Sequence, residues 1–118
     1  MQTTLLLYTD AAVRRVLHVR RPGRLIFASD DVGAADRAVY DECVVLPPVW
    51  RVEETVEAID RIEADHVFYQ TEFGLPPGAL LAAKKGWKGP SPEAVHRCMN
   101  KALCRRTLER AGLPIPKF

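Results

Sequence analysis

A chain of 118 residues, of which 47% are hydrophobic, is long enough to bury the core of one domain, and this composition argues against intrinsic disorder. The net charge of +2 excludes a polyelectrolyte, and three cysteines without a C-x-x-C spacing argue against a disulfide framework or a zinc site and fit a reducing cytoplasm. The first apolar run has no basic segment before it and is too short for a signal peptide or a membrane span.

Four short apolar runs have the length of buried strands. They cover residues 3–9 (TTLLLYT), 25–29 (LIFAS), 43–46 (CVVL) and 67–70 (VFYQ). The first run does not alternate between apolar and polar residues, which is typical of a strand that is buried on both faces of a parallel sheet. The runs therefore predict a parallel sheet.

Helical patterns separate and follow these runs. They cover residues 11–20, 33–40, 52–64 and 78–85, with a loop at residues 71–77. Pro22-Gly23 ends the first helix. The clearest pattern is 52–64 (VEETVEAIDRIEA), because its apolar residues recur at helical spacing and its charged residues occupy the other side. The predicted buried face consists of Val52, Val56, Ile59 and Ile62.

Strands that alternate with helices are joined by right-handed crossovers into a parallel sheet. We therefore predict an α/β fold: a Rossmann-like open parallel sheet of about four strands with helices on both faces, followed by a C-terminal helical linker. Residues 1–88 form the α/β domain in this prediction, and residues 89–118 form the linker. Residues 84–118 carry a net charge of +7 and the remainder −5. This asymmetry suggests a basic tail that faces phosphates or an acidic neighbour.

The linker, GPSPEAVHRCMNKALCRRTLERAGLPIPKF, has clear signals for helix boundaries. Ser91 is a suitable N-cap for one helix, and Pro92 fits its first position. Asn100 is a suitable N-cap for a second helix, which begins at Lys101. Gly112 fits the left-handed residue that follows a helix, and the two prolines after it prevent the helix from continuing.

Ligands of parallel α/β sheets usually bind beyond the C-terminal ends of the strands. The loops expected there contain neither a G-x-G-x-x-G nor a G-x-x-x-x-G-K-[ST] motif, which disfavours a Rossmann dinucleotide site and a P-loop. His18, His66 and His96 lie on separate predicted elements, so a metal cluster is not expected.

The linker resembles the segment that joins the first domain of ATP-grasp ligases to their nucleotide-binding core. The resemblance is closest to the carboxylate–amine ligases of the amino-acid and dipeptide type. It rests on G-P-S-P-E-A at residues 89–94, the Asn100-Lys101 pair, and A-G-L-P-I-P-K-F at residues 111–118. It implies that residues 1–88 are a pre-ATP-grasp domain and that the linker leads to an ATP-grasp core outside these residues. Relatives often have glycines after the first strand, where this chain has Thr9-Asp10, so the resemblance does not assign ligand contacts to that loop.

The resemblance also implies roles for two residues. Glu72, within YQTEFG, would hold a substrate ammonium group by a charge-assisted hydrogen bond; the alternative is a loop carboxylate that is solvated or paired with a lysine. Lys101 would reach the phosphates of ATP; the alternative is a solvated surface lysine. The charge of Lys101 opposes the dipole of the helix that it begins, and a conflict of this kind is typical of functional residues.

The implied function is that of an N-terminal domain of an ATP-dependent carboxylate–amine ligase. In this family ATP phosphorylates a carboxylate, an amine attacks the acyl phosphate, and Mg²⁺ bridges the phosphates. The complete enzyme would use ATP and Mg²⁺, with an ATP-grasp core in cis or as a separate subunit, and small carboxylate and amine substrates. The chain alone is expected to lack ligase activity and to bind neither cofactor tightly.

Other functions stay open. A stand-alone protein-binding module that docks on a separate ATP-grasp protein or another partner would be favoured by an exposed apolar patch around Leu113, Ile115 and Phe118. A homodimer is a further option, and a membrane partner is not expected. Arg97, Lys101 and Arg105 recur every four residues and could contact a nucleic-acid backbone. Because no aromatic platform accompanies them, the preferred interpretation is a basic face that is solvated or packs on an acidic domain outside these residues.

Overall fold

The computed structural model describes residues 1–21 and 23–117, and the side chains of these residues except Leu17 and His18. Strands and helices alternate along the chain in the order β1 Thr3–Leu7, α1 Ala11–Val19, β2 Arg24–Ser29, α2 Ala34–Val39, β3 Glu42–Val45, α3 Val52–Asp60, β4 His66–Tyr69, α4 Leu75–Lys85, α5 Pro92–Met99 and α6 Lys101–Arg110. Two residues used in the sequence predictions, Pro22 at a helix end and Phe118 in the apolar patch, lie outside the described residues.

The strands form one parallel sheet in the order β3-β2-β1-β4. Leu5 of the central β1 lies opposite Ile26 of β2 and Val67 of β4. β3 extends the sheet beyond β2, with Cys43 opposite Phe27. The predicted α/β fold, a Rossmann-like open parallel sheet of four strands followed by helices, is therefore confirmed.

The larger core lies on the sheet face that α3 and α4 cover. Leu5 and Leu7 project from the central strand onto this face, and Ile59 of α3 and Leu81 of α4 pack against them. Each of these side chains is at most 1% exposed. Since burying an aliphatic side chain of this size contributes about 1.5–3 kcal/mol, this cluster is a major source of stability.

A smaller core lies on the opposite face, and its buried members are Leu6, Leu25, Phe27 and Tyr40. The rings of Phe27 and Tyr40 stack with their centroids 4.7 Å apart. α1 and α2 contact each other on this side, and Arg14 of α1 forms an ion pair with the buried Asp36 of α2. Helices therefore lie on both faces of the sheet, as the alternating pattern predicted.

The strands begin and end within two residues of their predicted bounds, but two helices differ more. α4 begins at Leu75, so the prediction that residues 71–77 are a loop is wrong for residues 75–77. Pro76 and Pro77 lie in the first helical turn, where their missing N–H groups are not needed. α3 ends at Asp60 instead of residue 64; the Asp60 carboxylate there contacts the ammonium group of Lys84 on α4 at 2.6 Å.

The buried face of α3 also differs from the prediction. Ile59 is buried as expected, but Thr55 is 1% exposed, whereas Val52, Val56 and Ile62 are half-buried. The buried face of α3 therefore includes a threonine beside Ile59.

No helix in the described part of the chain is long and apolar enough to cross a membrane.

Candidate functional site

The strand order reverses between β1 and β4, because the chain first builds outward to β2 and β3 and then crosses to the other side of β1. Such a reversal leaves a crevice beyond the C-terminal ends of the two strands, where parallel α/β sheets usually bind ligands. Residues 8–10 after β1 and residues 70–74 after β4 border this crevice. The candidate site is therefore built from these two loops.

The loop after β1 is held in place without a glycine. Tyr8 has a positive φ of 49°, a left-handed conformation that is uncommon for a side chain of this size, and it is 7% exposed. The hydroxyls of Thr9 and Tyr40 are hydrogen-bonded at 3.1 Å, and the Asp10 carboxylate accepts the amide hydrogen of Val13 at 3.0 Å and so caps α1. The side chains of Thr9 and Asp10 are therefore engaged in hydrogen bonds that fix the conformation of this loop.

The loop after β4 carries Glu72. The carbonyl of Thr71 accepts hydrogen bonds from the amides of Gly74 at 3.0 Å and Leu75 at 3.1 Å, which fixes the turn into α4. Glu72 is exposed, and among the residues that the structure describes its carboxylate has no hydrogen bond or ion pair. A carboxylate in this position is accessible to a cation in the crevice.

Two helices beyond α4 form an arm, defined here as α5 and α6. The Ser91 hydroxyl accepts the amide hydrogen of Ala94 at 3.1 Å, and Pro92 is the first residue of α5, as predicted. α5 packs on α4 and buries Val95 to 6% exposure. The arm is therefore attached to the sheet domain through α4.

Asn100 forms the corner between the two helices of the arm. Its amide donates to the carbonyl of His96 at 3.1 Å and ends α5, and its side-chain oxygen accepts the amide hydrogen of Leu103 at 3.0 Å and caps α6. The predicted N-cap at this residue is confirmed. Lys101, the first residue of α6, is exposed, and α6 packs on α5 without burying any of its residues.

α6 ends in a Schellman motif. Gly112 has a φ of 80°, its amide donates to the carbonyl of Glu109 at 2.9 Å, and the amide of Leu113 donates to the carbonyl of Leu108 at 3.0 Å. The predicted role of Gly112 at the end of this helix is confirmed.

Glu72 and Lys101 lie on separate parts of the molecule. Glu72 precedes α4 at the crevice, whereas Lys101 lies beyond α5 on the arm. No hydrogen bond or ion pair joins the two side chains within residues 1–21 and 23–117. The chain therefore presents two separate exposed charges of opposite sign instead of one closed site.

α5 and α6 carry no phenylalanine, tyrosine or tryptophan between their basic residues. Arg97 donates to the carbonyl of Glu93 at 3.4 Å, within its own helix. Arg106 and Arg110 are exposed and Arg105 is half-buried. That this face is simply solvated stays a prediction.

The potential ligands for a metal ion are the cysteine, histidine and acidic side chains that the structure describes. The three cysteines are free thiols, and burial raises the pKa of the half-buried Cys43. Among the described side chains, no group of three or more histidine, cysteine, aspartate or glutamate residues could hold a metal ion.

The sequence patterns do not identify three of the buried polar groups, which belong to Asp36, Tyr8 and Thr55. Asp36 is 6% exposed; it pairs with Arg14 and accepts the amide hydrogen of Gly33 at 2.9 Å. The sequence signal available for Asp36 is its position three residues after Gly33, the N-cap of α2, where an acidic side chain often binds the N-cap amide. The Tyr8 hydroxyl and the Thr55 hydroxyl are also buried, and no local sequence pattern marks them.

Two clefts differ in their position relative to the crevice. A polar cleft of about 690 Å³ opens at the opposite edge of the sheet, beside Thr3, Arg24 and Asp65. An apolar cleft of about 390 Å³ lies between α1 and the sheet and reaches Asp10 and Gln70 of the two crevice loops. Because the polar cleft is at the N-terminal edge of the strands, its size alone does not make it the ligand site.

The fold is similar to those of three solved ligases. The L-amino acid ligase from Bacillus licheniformis matches 98% of this chain with a TM-score of 0.75 and 18% identity. N5-carboxyaminoimidazole ribonucleotide synthetase from Thermotoga maritima matches 99% with a TM-score of 0.65 and 20% identity. Phosphoribosylglycinamide synthetase from Anaerococcus prevotii matches 94% with a TM-score of 0.68 and 14% identity.

The chain spans about a third of the length of these proteins, covering 32%, 32% and 29% of them respectively. All three are ATP-grasp ligases, so the resemblance seen in the linker is confirmed as a likeness of fold to part of such enzymes. No protein-family model and no curated protein matches the chain in sequence.

Proposed function

We propose that this chain is the N-terminal, pre-ATP-grasp domain and connecting arm of an ATP-dependent carboxylate–amine ligase that acts through an acyl phosphate. Residues 1–88 form the α/β domain in this proposal, and residues 89–118 lead to the ATP-grasp core, which lies in the same polypeptide or in a separate subunit. Free thiols at all three cysteines support a cytoplasmic enzyme.

The observation that carries the proposal is the match of nearly the whole chain, arm included, to one third of three ATP-grasp ligases. The sheet domain alone is a common fold and would say little about chemistry. The arm is more informative, because the caps at Ser91 and Asn100 and the Schellman motif at Gly112 form at the residues on which the resemblance rests.

Glu72 is proposed to bind the ammonium group of the amine substrate. Its carboxylate is exposed at the crevice beyond β4 and is not engaged by a lysine or arginine in the described part of the chain. A carboxylate–ammonium hydrogen bond is about twice as strong as a neutral one and would orient the amine.

Lys101 is proposed to contact the phosphates of ATP. Its ammonium group is exposed at the start of α6, where free backbone N–H groups also favour an anion. The other basic side chains of the arm add positive potential around it.

The residues present fit a phosphate contact but not a magnesium site. ATP would supply the activating phosphoryl group when bound, and Mg²⁺ would offset its charge. Since the described side chains include no metal-binding cluster, the ATP-grasp core would hold the metal, and this chain would contribute the amine contact and one phosphate contact. The chain alone is therefore expected to be inactive.

A second candidate is a stand-alone module that docks on a separate protein. The observation that favours it is the exposure of Leu113 (53%) from the predicted patch and of Leu108 (38%) beside it, although Ile115 of that patch is half-buried. In that case the chain would bind an ATP-grasp protein or another partner without contributing to catalysis.

The test compares the chain alone with the complete protein, in which the chain is joined to or bound by its ATP-grasp core. The measured quantity is the rate of phosphate release from ATP in the presence of a mixture of carboxylates and amines. We expect activity only in the complete protein. Lys101→Ala should raise KM for ATP by about 10-fold or more, and Glu72→Gln should do the same for the amine, because each removes a charge-assisted bond.

Lys88→Ala is the matched control, since Lys88 is exposed and precedes the arm. Unchanged kinetics in both site variants, with the chain still required for activity, would favour the docking module. Ligation by the isolated chain would contradict the proposal that activity requires the ATP-grasp core.

A further inference from the structure

Three glycines surround the side chain of Tyr69 at the end of β4. A Cβ atom on Gly78 would lie 2.4 Å from Cγ and Cδ1 of Tyr69, and a Cβ atom on Gly74 would lie 3.2 Å from the Cβ of Tyr69. A Cβ atom on Gly89 would lie 2.9 Å from the phenolic oxygen. The Tyr69 side chain therefore lies close to glycine backbone at its Cβ, along its ring and at its hydroxyl.

The three glycines belong to different parts of the chain. Gly74 precedes α4, Gly78 is inside α4, and Gly89 is in the link between α4 and the arm. A glycine inside a helix costs about 1 kcal/mol relative to alanine. The contact with the Tyr69 ring gives Gly78 a structural reason to be there, since no larger residue fits.

The link between α4 and the arm lies over the same region. Gly86 ends α4 with a φ of 71°, and the amide of Trp87 donates to the carbonyl of Ala82 at 2.8 Å. The indole of Trp87 and the ring of Tyr69 both pack against the larger core. Tyr69 thus contacts the sheet end, the first turns of α4 and the link.

We infer that Tyr69 is a positioning residue that fixes the direction of the arm relative to the crevice beyond β4. The ring cannot move toward α4 because Gly78 is already in contact with it. The hydroxyl limits how closely the link can approach, because a Cβ atom on Gly89 would lie 2.9 Å from it. On the proposed function, this contact fixes the arm that carries Lys101 relative to the loop that carries Glu72, three residues after Tyr69.

The test uses a compensating pair of substitutions in the isolated chain. Gly89→Ala should place a methyl group against the Tyr69 oxygen and displace the link, whereas Tyr69→Phe/Gly89→Ala should restore it because the oxygen is gone. Trp50→Phe in all variants leaves Trp87 as the single fluorescent indole, because the chain has two tryptophans. Hydrogen exchange of the α5 amides gives a second readout.

We expect Gly89→Ala to shift Trp87 emission to longer wavelength and to speed exchange in α5 by about tenfold. The double variant should return both readouts to the parent values, and Tyr69→Phe alone should leave them near those values. Absence of any change in Gly89→Ala, or a double variant as perturbed as Gly89→Ala, would overturn the inference.

Gly86→Ala is the matched control. It strains a left-handed residue at φ 71°, but a Cβ atom there meets nothing within 4 Å, so Tyr69→Phe should not rescue it. If Gly89→Ala does not fold, Tyr69→Leu tests the same contact. In this variant the α5 amides should exchange faster while the β1 amides keep their protection. An equal increase of exchange in α5 and β1 would contradict the inference. These measurements need no ATP, so their outcome is independent of whether Lys101 contacts phosphate.

Discussion

The Asp41 carboxylate accepts the backbone amide hydrogen of Leu25 at 2.7 Å and also binds the guanidinium of Arg21 at 2.6 Å. The residue before β3 is thereby joined to a fully buried residue of β2. The bond from Leu25, followed by the attraction of Arg21, holds the pKa of Asp41 below its ordinary value of 3.8. The stabilisation is therefore present above pH 3.8 and is lost as the pH falls from 3.8 through the lowered pKa. In that pH range the Asp41 carboxylate binds a proton in the unfolded chain but not in the folded one.

Asp41→Ala should lower the free energy of unfolding at pH 7 by about 1 kcal/mol, a value reduced by the partial exposure of the carboxylate. Urea unfolding at pH 7 and at pH 3 measures it, and the difference from the parent should shrink at the lower pH. Glu57→Ala, an exposed carboxylate of α3, is the control. An equal loss at both pH values would show that packing, not charge, is responsible.

Thr55→Val should leave stability unchanged or raise it by up to about 1 kcal/mol. The Thr55 hydroxyl and the Tyr8 hydroxyl are both buried, and the described residues offer neither a hydrogen bond of good geometry. Burial raises the pKa of Tyr8, and the Thr55 side chain lowers it by a smaller amount. A buried hydroxyl without a well-formed hydrogen bond costs free energy, so its removal should not destabilise the fold.

Chemical denaturation of Thr55→Val and Tyr8→Phe measures this expectation. Thr55→Ser is the companion variant, since it keeps the hydroxyl and removes a methyl group. If Thr55→Val loses more than about 1 kcal/mol, the two hydroxyls are paired in solution.

Asn100→Ala should loosen α6 by about 1 kcal/mol because the amide of Leu103 loses its acceptor. Hydrogen exchange of the Leu103 amide measures the effect locally, and circular dichroism measures the loss of helix. Asn100→Asp should retain the cap. Equal exchange in the alanine and aspartate variants would mean that packing on α5, not the cap, holds this helix turn.

Alkaline pH should destabilise the fold through its tyrosines. Burial is the main cause that raises the pKa values of Tyr8, Tyr40 and Tyr69 above their ordinary value of 10.0. Above pH 10 the unfolded chain releases phenolic protons that the folded chain retains, so stability falls as the pH rises toward the raised pKa values.

Phenolate absorbance during a pH titration, combined with unfolding midpoints at pH 8 to 11, checks this expectation. Tyr40→Phe should reduce the slope of stability against pH. Titration of all three phenols at the ordinary value, without unfolding, would contradict the burial of these rings.

The sheet could be predicted from the sequence because its strands are continuous apolar runs separated by clear breaks. The arm could be predicted because Ser91, Asn100 and Gly112 act through their own backbone neighbours. The first turn of α4 is not predicted, because Pro76 and Pro77 favour a loop, although a helix tolerates proline in its first turn.

The contacts around the site could not be predicted because they are made between residues distant in sequence. Tyr69 is recognisable as important only when Gly78 and Gly89 are seen against its ring. Likewise, Thr55 is 1% exposed although the helical pattern alone favours Val52 and Val56, because burial depends on the distant elements that pack against α3. The exposure of Glu72 and Lys101 agrees with both interpretations of each residue, so their roles stay proposals.

Both outer strands of the sheet, Glu42–Val45 and His66–Tyr69, are four residues long. A short edge strand offers few unpaired backbone groups to a second molecule, so it is a poor template for aggregation by edge-to-edge strand pairing. At the β3 border, Glu42 is paired with Arg24 of β2 at 3.0 Å, and the cost of removing these charged side chains from water opposes such aggregation. The 118-residue chain should therefore stay dispersed at the high concentrations that spectroscopy requires, even though its Phe68 ring is 42% exposed.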